Sequence, residues 1–181
     1  MINIIEFVNA LFWQAPWAQT LGFIALVVGV SGFFQKDDQK LRYYLTVFTL
    51  FMALHFFMLE QWAGALMALL GSARNYISSH TDNKWVMISF FIGAWLLAIP
   101  NTNQWVHLLP VIGTTFGTWA LFREKGIRMR LFMSIGTVCW FTHNFFVGSI
   151  GGVIIETIFL AINSRTMLKL LKDGAVQSTE H

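Results

Sequence analysis

The sequence predicts an all-α membrane protein, with seven transmembrane helices arranged as two parallel three-helix repeats joined by a linker helix. Three observations predict it. First, the chain of 181 residues is 56% hydrophobic and only 12% charged, whereas a soluble domain is nearer a quarter charged. A globule of this size cannot hide so much apolar surface, so lipid must act as solvent for much of it. Second, the apolar residues fall into seven runs separated by short polar loops. Third, the second half repeats the first at an offset of 88 residues, as from His55 to His143.

Residues 1–16 form a short apolar lead ended by Pro16 and Trp17. It is too short to span a bilayer, and is read as an interfacial segment; the other reading is a longer, broken first helix. The first span, 20–34, carries Gly22, Gly29 and Gly32 at spacings that let helices approach closely. The second, 41–59, has His55 near its end. The third, 62–79, carries Arg74 and Asn75. The fourth, 85–99, is bounded by Pro100, and the fifth, 108–122, is opened by Pro110. The sixth, 131–147, contains the single cysteine, Cys139, and His143. A glycine-rich turn, 148–152, leads to the seventh, 154–171, with Glu156 and Asn163. The domain plan is therefore a lead (1–16), a first repeat (17–80), a linker helix (81–104), a second repeat (105–172) and a disordered polar tail (173–181).

All twelve Lys and Arg residues lie at loops or helix ends that fall on one side of such a chain. The opposite loops hold Glu60, Gln61, Asn101, Asn103 and His107. Basic loops stay cytoplasmic, so the N-terminus is expected outside and the C-terminus inside. The net charge of +3 thus serves topology and is no nucleic-acid signal. A lone cysteine makes neither an intramolecular disulfide nor a zinc cluster. There is no signal-peptide pattern at the N-terminus, so the first helix is expected to insert uncleaved.

At the 88-residue offset Gly29 falls on Gly117, Arg42 on Arg130, Thr49 on Thr137, His55 on His143, Gly64 on Gly152 and Asn75 on Asn163. Apolar coincidences are cheap in such a composition, but rare His, Arg and Asn matches are not. Three helices are an odd number, so the fourth span restores the direction and makes the two repeats parallel, related by an axis along the membrane normal. This 3+1+3 layout resembles that of SWEET and PQ-loop transporters. That resemblance implies a solute site between the halves, with an Asn on the third and seventh helices facing the substrate; Asn75 and Asn163 lie on those helices. The Pro-Gln motif and most of the gating prolines of that group are missing. A resemblance over residues 17–172 rests on LLPVIGT (108–114), GTWALFREKG (117–126), HNF (143–145) and GSIGG (148–152). It is to the YgjV-type bacterial inner membrane proteins and implies a multi-pass inner membrane location, with no activity attached to any residue.

Five residues are candidates for a solute site: Asn75, Asn163, Glu156, His143 and His55. Glu156 lies about 9 Å into the seventh span and His143 about 6 Å into the sixth, from the same end. They are on neighbouring helices at similar depth and are expected to be able to meet. A carboxyl inside a span faces a cavity or a partner, so the pair is either a gate or a structural lock. The two Asn amides must be hydrogen-bonded in lipid, as a ligand pair or as helix glue. His55 is read as an interfacial hydrogen bonder or a ligand group. Arg74 and Arg165 sit at helix ends, where snorkelling is the expected role. No nucleophile–base set, GxSxG or HExxH motif is present, so an enzyme is not expected, and no cofactor or metal is implied. The expected partners are the lipid bilayer and a small polar solute, with self-association left open. A SWEET-like transporter or binder of that solute is the leading reading. A regulatory or structural membrane subunit is the alternative.

Overall fold

The computed structural model describes residues 3–33, 38–124 and 126–179, and among these every regular element is helical. The elements are α1 (Ile4–Gln14), α2 (Pro16–Phe33), α3 (Asp38–Met58), α4 (Trp62–Ser78), α5 (Lys84–Ala98), a 3-10 turn (Ile99–Asn101), α6 (Trp105–Arg123), α7 (Gly126–Phe146) and α8 (Ile150–Thr179). Among the described residues three helical stretches are long and apolar enough to cross a membrane by length and composition, Lys84–Asn101, Trp105–Arg123 and Ile150–Lys172, and a fourth if α1 and α2 count as one bent span. The positions of α2 to α8 follow the seven apolar runs of the sequence.

The lead is a helix in its own right. Asn3 caps it, accepting from the Ile5 amide at 3.3 Å, while Glu6 accepts from the Asn3 amide at 3.4 Å, the reciprocal arrangement of a capping box. Pro16 then starts α2, where its missing N–H is no loss, and forces Ala15 out of helical conformation. The two helices meet at 110°. α6 begins at Trp105, three residues before the expected span, so Pro110 sits inside it. α8 runs to Thr179, through most of the stretch read as a polar tail; residues 180–181 lie outside the described ones.

Helices α2, α3 and α4 pack side by side in order, as do α6, α7 and α8. The trios join twice: α4 lies against α6, and α8 against α2. This closes a six-helix ring, with α5 strapped outside across α4 and α6. The core inside the first trio is built from Ala25, Phe48, Met52, Ala53, Phe56, Ala65 and Ala68, and Ile155 of α8 inserts into it. Seven of the eight tryptophans are exposed on the outer surface, among them Trp17, Trp62 and Trp105 in the first turns of α2, α4 and α6, where an indole suits a lipid–water boundary. Trp140 alone turns inward.

The turns after α3 and α7 are built alike. Leu59 and Gln61 amides donate back to the His55 and Phe56 carbonyls, and Val147 and Ser149 amides to those of His143 and Asn144. Both turns need a left-handed residue. Gly148 supplies it with φ 70°, and Glu60 supplies it with φ 58°.

Candidate functional site

A cavity of about 140 Å³ lies inside the ring, walled by α3, α4, α6, α7 and α8. That is room for roughly five waters at about 30 Å³ each. Most of the wall is apolar, from Phe48, Met52, Phe56, Met67, Trp140 and Phe159. Polar groups enter at Thr49, Arg74, Asn75, Thr114, Thr137 and Glu156.

Arg74 crosses the seam between α4 and α6. Its Nε and Nη2 both donate to Asn75 Oδ1, at 3.3 and 2.8 Å. Nη1 reaches the Thr114 carbonyl at 3.5 Å and Thr118 Oγ1 at 3.4 Å. Gly117 leaves the space this needs, since a Cβ there would stand 2.9 Å from Nη1. The end-of-helix position suggested a snorkelling arginine. The structure instead turns it into the cavity, because a helical side chain leans toward the helix N-terminus, which here means inward. Asn75 is nearly fully buried; its Nδ2 donates to the Leu45 carbonyl at 3.4 Å, tying α4 to α3. Glu156 is buried on α8 with the Thr137 hydroxyl of α7 as its hydrogen-bonding neighbour.

The other candidates lie elsewhere. Asn163 is not in the cavity wall; its Oδ1 accepts from Arg130 Nη1 at 3.0 Å, joining α8 to α7. The expected symmetric amide pair is therefore split, with one amide in the wall and one in a helix-to-helix bond. His143 and Glu156 do not pair either. His143 Nδ1 donates to the Val106 carbonyl of α6 at 3.2 Å, and its ring lies edge-on to Phe56 and Trp140. Its Nε2 is buried with no partner among the described residues, as is the amide of Asn144 beside it. Similar depth put His143 and Glu156 level, but rotation about their helices points them to different neighbours.

His55 is wholly buried and fully used. Its Nδ1 donates to the Ala18 carbonyl of α2 at 2.6 Å, and its Nε2 lies 2.7 Å from Ser149 Oγ. A carbonyl only accepts, so in the neutral ring Nδ1 carries the proton and Ser149 donates to Nε2. Gln19 adds to the same junction: Nε2 donates to the Gly148 carbonyl at 2.8 Å, and Oε1 accepts from the Ile150 amide at 3.3 Å. These bonds close the α2–α8 seam. Among the described residues no group of three or more His, Cys, Asp or Glu side chains gathers as a metal site.

The comparisons with known proteins cover the whole of this site. Residues 16–173 match the YgjV family of bacterial inner membrane proteins, a stretch that holds every residue of the cavity wall. The chain is 38% identical over 156 residues to the inner membrane protein YgjV of Escherichia coli strain K12, covering 86% of this chain and 85% of that one. No solved structure matches. With an apolar helical ring, tryptophans on its outer surface and a match running from the start of α2 through most of α8, the chain belongs to the YgjV family of bacterial inner membrane proteins.

Proposed function

We propose that the protein binds a small polar solute in the cavity between the two helix trios and carries it across the inner membrane. The carrying observation is the cavity itself, a partly open space with a guanidinium, an amide, a carboxyl and three threonines in a mostly apolar wall. Few precisely placed polar groups in an apolar pocket are what a small-molecule site needs.

In this reading α2 to α8 are seven spans, α1 lies at the interface, and the N-terminus is outside with the C-terminus cytoplasmic. The trios are parallel repeats about an axis along the membrane normal, the SWEET-like layout with α5 as linker. Several matched features support the repeat. The bonds His55–Ala18 and His143–Val106 both span 37 residues and fall on each other at the 88-residue offset. So do the turns at Glu60 and Gly148, and the hydroxyl bonds from Thr46 to the Arg42 carbonyl and from Ser134 to that of Arg130. The two seams, α4 on α6 and α8 on α2, each set the third helix of one trio against the first of the other. Alternating access then amounts to rocking one trio against the other around a central site. The role is non-catalytic. The competing reading, a regulatory or structural subunit, predicts a stable co-purifying partner and no solute-dependent stabilisation.

Single cysteines at Asn75, Thr114 and Thr137, in a Cys139→Ala background, test the reading. A membrane-impermeant maleimide is expected to label them from one side, more slowly when solute is bound. If all three stay unlabelled while a cysteine in an exposed loop reacts, the cavity is closed to water and the reading fails.

A further inference from the structure

Arg74 carries five N–H donors into the cavity wall, and no acidic side chain among the described residues pairs with it. Two of its nitrogens share one acceptor, Asn75 Oδ1, and the other contacts are long, at 3.4 and 3.5 Å. A guanidinium among apolar helices without a counter-charge is costly, and such a group persists where something offsets it.

The repeat sharpens the point. Several packing and hydrogen-bonding positions have mates in both trios, but Arg74 falls on Ile162 and Glu156 on Ala68. At the mated positions the other trio uses apolar side chains, so the repeat itself does not call for either ionisable group. Asn75 fixes the plane of the guanidinium, and Gly117 keeps the space around it open. Four of its five N–H groups have these contacts, which leaves one on Nη2 to spare and two long ones on Nη1. A held guanidinium with such donors offers a carboxylate charge-assisted hydrogen bonds.

Resting on the solute-binding reading, we infer that Arg74 is the anion anchor of the cavity and that the solute is a small monocarboxylate with an apolar body. The single charge follows from the wall. A second negative group would find no second cation there and would face the Glu156 carboxyl. The apolar body follows from Phe48, Met52, Phe56 and Phe159, which offer dispersion contacts and no hydrogen bonds to a polyol. A sugar would leave several hydroxyls unpaired against them, each a substantial loss. The starts of α4 and α8, Trp62 and Ile150, are repeat mates, so Glu156 lies about 9 Å from Arg74 along the helix direction at 1.5 Å per residue. The guanidinium leans into that interval as far as Gly71, and the body of the solute lies between it and Glu156.

The test uses the full-length protein in detergent, with thermal unfolding and titration calorimetry. The probes are benzoate and 3-methylbutanoate, their neutral isosteres benzamide and 3-methylbutanamide, succinate, and glucose. The monocarboxylates are expected to raise the melting temperature by linkage, and the amides, succinate and glucose to leave it unchanged. Arg74→Gln is expected to weaken the monocarboxylates roughly tenfold to a hundredfold, while the ligand-free variant melts at or above the wild-type temperature because an unbalanced charge is gone. Equal shifts by the acids and their amides would overturn the anion anchor and leave the cavity reading standing. A shift by glucose alone would overturn the monocarboxylate and also leave that reading standing. No shift by any probe would count against both. The acid–amide comparison needs only the wild-type chain, so a variant that fails to fold does not remove the test.

Discussion

His143 donates through Nδ1 to the carbonyl of Val106, 3.2 Å away, and it does so where Pro110 has left that carbonyl without its helical partner. Proline has no N–H, so the carbonyl four residues earlier loses its bond. The imidazole of the next helix takes its place. At the matching position of the first trio Gly22 retains its N–H, and the Ala18 carbonyl accepts from His55 as well.

This exchange predicts a coupling. His143→Phe removes the donor and is expected to cost about 1–2 kcal/mol of stability in the wild-type background. In Pro110→Ala the helix N–H returns, and the same substitution should cost measurably less. Denaturant unfolding of the four proteins in detergent, read as a double-mutant cycle, checks it; equal costs in both backgrounds would sink the idea.

The left-handed turns give a second prediction. Glu60 holds a conformation that suits glycine, so Glu60→Gly is expected to stabilise by up to about 1 kcal/mol. Gly148→Ala is expected to destabilise by about 1 kcal/mol or more, for the same conformational reason and because its Cβ would meet Leu11. Melting temperatures of the two variants should move in opposite directions.

The two asparagines should part company. Asn163→Ala loses a buried bond to Arg130 and is expected to lower stability by about 1 kcal/mol while leaving solute affinity alone. Asn75→Ala releases the Arg74 guanidinium and is expected to lower affinity as well. Binding isotherms of both variants with one monocarboxylate decide this; a shared loss of affinity would restore the symmetric amide site.

Gly117→Ala offers a finer probe. The added methyl displaces the tip of a flexible arginine and not backbone, so its stability cost is expected to stay below about 1 kcal/mol, under the usual range for overpacking. Its affinity for the monocarboxylate should nonetheless fall. Unchanged affinity would show that the position of Nη1 does not matter.

Much of the fold was legible in the sequence because apolar runs and rare repeated residues carry it. The seven runs mark α2 to α8, and His55 and His143 mark equivalent places. The site was half legible. Asn75 and Glu156 line the cavity as expected of buried polar groups. Asn163, His55 and His143 are equally buried, but their rotation about the helix axis turns them to other helices, and depth along a span says nothing about rotation. Arg74 was misread because nearness to a helix end suggests an interface. Two signals pointed the other way: its repeat mate is Ile162, and Gly117 with Thr114 and Thr118 forms a matching small and polar patch on α6. The start of α6 at Trp105 was missed because a proline was taken for a helix opening.

The closure of the ring has a consequence for how the protein is made. Gln19, near the start of the chain, bonds to the Gly148 carbonyl 129 residues later. At ribosomal rates of about 5–20 residues per second, that partner emerges on the order of ten seconds after Gln19 does. Until then α2 holds an amide whose partner lies in the last hairpin. The newborn first trio is thus an unfinished object, waiting for its final helix, and a chain that stalls before Gly148 is synthesised leaves that amide without its native partner and the ring unclosed.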